Sequence, residues 1–160
     1  MSIRTFAVLA LLSTTAVAAD LGPSPDVETR TRGAGRVVVA RVLDVQGRFA
    51  INRFGDQLIV SNALLEIEET LKGASAPTVR VDIEGGTVGG LTLKVSDLPV
   101  LLAGERGVFF LDAAADGTLT PHERGRGILK LSTADRVEGT TVTLDAVRQQ
   151  IRAGLVRVGR

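Results

Sequence analysis

Cysteine is absent from all 160 residues. That removes disulfides, thiolate catalysis and cysteine-based metal sites together, so a domain made from this chain is held by its core alone. Trp and Tyr are also absent. Beyond the N-terminal stretch the only aromatic rings of Phe type are Phe49, Phe54, Phe109 and Phe110. Stacking platforms for sugars or single-stranded nucleic acid use several exposed aromatics, and this chain supplies few. Lysine is confined to Lys72, Lys94 and Lys130, the rest of the positive charge being arginine. The formal net charge is +1. A nearly neutral chain lacks the basic field that releases counterions from phosphates, so no nucleic-acid partner is expected.

Long apolar runs occur only at the start. "MSIR" carries Arg4, "TFAVLALLSTTAV" is a short apolar run, and "AVAAD" has small residues at Ala16 and Ala18. This is the plan of a secretory signal peptide, with cleavage expected after Ala18 or Ala19. The alternative, an uncleaved anchor, wants ~20 apolar residues. The expected location is therefore periplasmic or secreted, with no integral membrane segment after cleavage.

The remaining chain divides into a leader and one domain. Residues 19–35 are polar and rich in Gly and Pro, and read as a flexible leader. Residues 36–158 read as a single β-barrel domain with a C-terminal helix. "RVVVARVLDV" (36–45) is a central strand. "QGRFAINRFGDQ" (46–57) holds Gly47 and Gly55 and reads as a wide hairpin loop or a short ragged strand. Ala63, Leu65 and Ile67 alternate with Glu66 and Glu68, favouring a strand over a helix; the Glu68-Glu69 doublet breaks the period as a β-bulge does. "TVRVDI" (78–83) is a further strand, and "LTLKV" (91–95) reads as its continuation beyond a glycine loop. "SDLPVLLAGERG" (96–107) reads as an irregular covering segment. "VFFLD" (108–112) is a strand buried on both faces, Asp116-Gly117 is a hairpin turn, and "GILKLS" (127–132) is the next strand. Leu144, Val147, Ile151 and Leu155 then switch to helical spacing, with Thr143 as N-cap. Arg148, Arg152, Arg157 and Arg160 give that helix a basic face, read as solvated.

This is an all-β pattern, a sandwich or closed barrel, with one helix. Core candidates are Val38, Val42, Leu65, Ile67, Val79, Val81, Phe109, Phe110, Leu111, Ile128, Leu129, Val147 and Ile151.

Three features invite a chemical reading. Gly85, Gly86, Gly89 and Gly90 form a glycine-rich loop. A phosphate cradle would lead from a strand into a helix N-terminus, often with a Lys-Ser/Thr pair. This loop leads into another alternating strand, so it reads as a bend. His122, the only histidine, lies in a loop beside Glu123. No G-x-S-x-G elbow accompanies it and "HERGR" is not H-E-x-x-H, so it is not assigned a catalytic role. Glu66, Glu68 and Glu69, with Asp82 and Glu84 on the next strand, could gather for a hard cation; a solvated strand face is the preferred reading. No catalytic, cofactor-binding or metal-ligating residue is assigned.

The order "RVVVARVLDV", "ALLEIEETLKG", "VRVDIEGG", "LAGERGVFFLD", "GRGILKL" resembles a recurrent exported bacterial β domain. Its steps fall here at Ile67–Gly73, Gly85-Gly86, Gly104–Leu111 and Gly125–Leu131. The "LKG" step is also similar to netrin-like, or tissue-inhibitor-of-metalloproteinase-like, domains, which are OB-type barrels with helical ends. The resemblance spans about residues 36–155. It implies a small OB/netrin-like barrel, and no inhibitory residue carries over, since those inhibitors act through a Cys-anchored edge. The expected function is a non-catalytic binding or interaction module of the bacterial envelope or extracellular space, with a protein partner and no cofactor. The alternatives are a regulator or inhibitor of an exported protease, and a hydrolase with a carboxylate site around Glu66 and Glu68.

Overall fold

The structure, a computed structural model, describes residues 26–52, 54–114 and 116–156. The signal-peptide reading of 1–18, the first part of the leader, Arg157 and Arg160 lie outside the described residues.

The chain closes a small barrel. Strands β1 (Arg36–Ile51), β2 (Gln57–Lys72), β3 (Thr78–Glu84), β6 (Arg106–Ala113) and β7 (Leu119–Pro121) form a ring in the order β1-β2-β3-β7-β6, and β6 returns to β1. All pairings are antiparallel except β3 with β7. Strand β8 (Ile128–Leu131) extends the wall alongside β6. Strands β4 (Gly86–Val88) and β5 (Leu91–Leu93) form a separate hairpin. Helix α1 (Val27–Gly33) precedes the barrel and helix α2 (Leu144–Val156) follows it.

The core has two compartments, and this explains the continuous apolar runs. Val38, Ala40 and Val42 of β1 point into the barrel with Leu65, Val81, Phe109 and Leu111. Val37 and Val39 point outward and meet Val108, Phe110, Val147 and Ile151, between the barrel wall and the helices. Strands covered on both faces lose the polar half of the alternation. Leu101, from the segment before β6, plugs the interior, as expected of a covering segment. Of the thirteen core candidates, Ile67 and Val79 are only half-buried, packed at the margin of the interior.

Four expectations need correction. Residues 27–33 are not a leader but helix α1. Asp26 caps it by accepting from the Thr29 N–H at 3.1 Å, and Val27 and Thr31 bury one face. Lys72 closes its other end, donating to the carbonyls of Thr31 (2.7 Å), Arg32 (3.2 Å) and Ala34 (2.5 Å). The packed unit thus starts at 26, not 36. Second, of the two readings of 46–57 the wide loop fails: β1 runs through "QGRFAI" to Ile51 and the turn comes after it. Asn52 ties that turn by accepting from the N–H groups of Phe54 and Asp56, both at 2.9 Å. Third, "LTLKV" is not a continuation of β3. Gly85 (φ +98°) and Gly86 (φ +126°) turn the chain out of β3, and a Cβ on Gly86 would collide with Ser61 Oγ. Fourth, His122, read as a loop histidine beside Glu123 with no role, has a structural one: Asp112 holds it, as described below.

The glycine loop therefore joins strand to strand, and no helix begins there. The Glu68 bulge is present: Val39 pairs with Glu69 and Ala40 with Ile67, leaving Glu68 as the extra residue.

Candidate functional site

The acidic residues singled out from the sequence are dispersed, and all but Glu66 are paired with arginine. Glu68 receives Arg106 through Nε (3.0 Å) and Nη2 (2.7 Å), with Arg41 at 3.3 Å. Glu69 takes Arg148 of α2 at 2.8 Å. Glu84 takes Arg124 at 3.1 Å, and Arg124 also binds Asp97 at 2.6 Å. Asp82 accepts from Asn62 at 2.6 Å and pairs with Arg48. Glu66 is exposed opposite Arg41 on β1. Among the described residues no group of three or more His, Asp or Glu side chains is placed to hold a metal.

Arg106 holds Glu68 below the usual carboxylate range, chiefly by its hydrogen bonds. A depressed carboxylate stabilises the fold above its unfolded pKa of about 4.3 and loses that contribution as pH falls through its folded value. Glu68→Gln is expected to cost about 1 kcal/mol at neutral pH, since solvent screens a pair this near the surface. In thermal melts the gap between wild type and variant should close as pH is lowered from about 5 to 3. A gap independent of pH would show that Glu68 does not stabilise the fold as a charge.

His122 and Asp112 form what looks like half of a catalytic triad. His122 Nδ1 lies 2.7 Å from Asp112 Oδ2, while Asp112 Oδ1 accepts from the Gly35 N–H at 3.1 Å. The other ring nitrogen, Nε2, faces Gly33, where a Cβ would stand 2.5 Å from it. A triad histidine presents Nε2 to a nucleophile; here a helix backbone occupies that position. The pair instead clasps the α1–β1 junction onto β6.

Beside the Asp116-Gly117 turn, Arg48, Asn62, Arg80 and Asp82 line an open depression of about 460 Å³. Its groups satisfy one another: Arg80 donates to Asn62 Oδ1 at 2.8 Å while Asn62 donates to Asp82.

The feature with spare capacity is apolar, at the far end of the β1–β2 hairpin. The bulge at Leu43 keeps Val45, Gly47, Phe49 and Ile51 on the inward face of β1. The barrel ends before the hairpin does, so this stripe runs on past the interior. The β4–β5 hairpin lies over it at Gly47, where a Cβ would stand 3.0 Å from the Thr87 carbonyl carbon. Beyond that point Phe49 is 46 % exposed, Ile51 67 %, Phe54 75 % and Leu91 62 %. A groove of about 230 Å³ runs between the two hairpins, lined by Phe49, Leu58, Ile59, Leu91 and Leu93 among others. Sequence reasoning missed this surface. Its signal was the period-two run Val45, Phe49, Ile51, masked because Gly47 was taken for a turn.

No protein-family model matches the chain, and no curated protein matches its sequence.

Proposed function

We propose that this protein is an exported, non-catalytic interaction module of the bacterial envelope or extracellular space, engaging a protein partner through the open end of its β1–β2 hairpin. The observation that carries this reading is Phe49 and Leu91, large apolar side chains that line one groove and stay largely exposed, with Ile51 exposed next to it, paired to the groove residue Gln57. Large apolar side chains exposed together mark contact surfaces. The ion pairing of the acidic residues and the occluded Nε2 of His122 support a non-catalytic role. The signal-peptide pattern supports export.

The test is crosslinking in the native envelope with a photoreactive residue at Thr92, which lines the groove. One dominant partner is expected, and Ile51→Glu with Leu91→Glu should abolish its capture while moving the melting temperature by no more than about 2 °C. Capture unchanged by the two glutamates would remove this surface from the interaction. A protease as the captured partner would favour a regulatory role.

A further inference from the structure

Arg30 is a charged residue where charge is costly. It sits on α1 and is only 8 % exposed. Buried arginines are normally matched by a carboxylate. Among the described residues Arg30 has one acceptor, the Arg126 carbonyl, which Nη1 reaches at 2.7 Å. Its Nε is fully enclosed without a partner. Asp26 and Glu123 face it and favour its charge, but both are engaged elsewhere: Asp26 caps α1, and Glu123 pairs with Arg126 at 3.5 Å. Burial and the neighbouring Arg126 guanidinium push Arg30 below the ordinary arginine range.

The second cation is held near the first by a shaped turn. Glu123 (φ 49°), at the N-cap of a short 3-10 helix at Arg124–Gly127, and Arg124 (φ 60°), its first residue, are both left-handed without being glycine. Gly127 closes that turn against His122, where a Cβ would lie 2.7 Å from the His122 nitrogen. The Arg126 side chain is 63 % exposed and shares its charge with Glu123, while its backbone carbonyl is the group that meets Arg30. Among the described residues Arg30 has no carboxylate within hydrogen-bond reach, the nearby Asp26 and Glu123 being engaged elsewhere, and an anion that reached its guanidinium would supply the missing charge-assisted bond.

We propose that Arg30 and Arg126 together bind a small oxyanion, a phosphate or carboxylate group, with Arg30 as the buried anchor and Arg126 closing over it. This site is separate from the hairpin groove and does not rest on the interaction reading.

The full chain would be melted at constant ionic strength, with chloride replaced by inorganic phosphate or by acetate. The melting temperature is expected to rise by about 3–6 °C at tenfold excess over Kd in at least one of the two. A rise in phosphate alone assigns a phosphoryl group, and a rise in acetate alone assigns a carboxylate. Arg126→Gln should lose most of the rise. Arg30→Met should lose all of it without being less stable than wild type in chloride, since it removes an unpaired buried charge. If Arg30→Met fails to fold, Arg126→Gln decides the matter, with phosphorus-31 line broadening of phosphate as the second readout. Equal melting in all three salts, or a rise that survives in Arg126→Gln, overturns the proposal.

Discussion

Gly125→Ala is expected to destabilise the protein by more than about 3 kcal/mol, lowering the melting temperature by roughly 6–12 °C. The reason is a backbone collision rather than an unusual dihedral angle. A Cβ at Gly125 would collide with the Asp97 carbonyl oxygen, lie 2.8 Å from its carbonyl carbon and 3.3 Å from Leu98 Cα. No flexible side chain stands in the way to give ground. The two backbones must separate, and what they hold separates with them. Arg124 grips Asp97 from the same turn through Nε at 2.6 Å and Nη2 at 3.2 Å. Leu98 and Leu101 of the facing segment pack into the barrel interior. One methyl group therefore strains the plug of the barrel. Gly35→Ala is the control, because a Cβ there meets only the Leu111 carbonyl oxygen at an ordinary 3.6 Å. It should shift stability by no more than about 0.5 kcal/mol. If the two variants melt together, Gly125 is not the contact that sets the spacing of these segments.

The sequence was most legible where local pattern and tertiary environment agree. The run "VFFL" reads as a strand buried on both faces because no residue in it tolerates water, and β6 is that strand. The Glu68-Glu69 doublet reads as a bulge because alternation cannot skip a beat without an extra residue. The Asp116-Gly117 turn closes as expected, with the Asp116 carboxylate accepting from the Thr118 N–H at 2.9 Å. Legibility failed where a distant partner decides. Helix α1 has a polar sequence of seven residues, too short to hold by propensity. It exists because Lys72, far along the chain, caps its carbonyls, and because Gly154 lets α2 approach to 3.0 Å of the Glu28 carbonyl from a Cβ position. The candidate sites failed in the same way. A stretch of acidic residues says nothing about which arginines lie opposite, and five from separate parts of the chain (Arg41, Arg48, Arg106, Arg124 and Arg148) take them up. His122 looked idle beside Glu123, whereas its partner Asp112 is brought in across the β6–β7 turn.

Phe110→Ala is expected to cost about 3–5 kcal/mol, the range for emptying a fully buried aromatic site. Phe110 has no exposed surface, and its ring lies in the compartment between the barrel wall and the helices. Its neighbour Phe109 is as deeply buried but faces the interior, among Val38, Leu65 and Leu101. Successive residues of one strand thus anchor separate compartments, as the pleat requires. The total cost of Phe109→Ala should be similar, so melting temperature alone does not tell the two apart. Hydrogen exchange does. In Phe110→Ala the cavity opens beside Val147 and Ile151, so amides of α2 should exchange by local opening well before those of β1 and β2. In Phe109→Ala the barrel amides should be affected first, with the helix layer following only on global unfolding. A uniform loss of protection in both variants would mean that the barrel and its helical layer open as one cooperative unit. The wall formed by β1 and β6 would then transmit a defect from one face to the other.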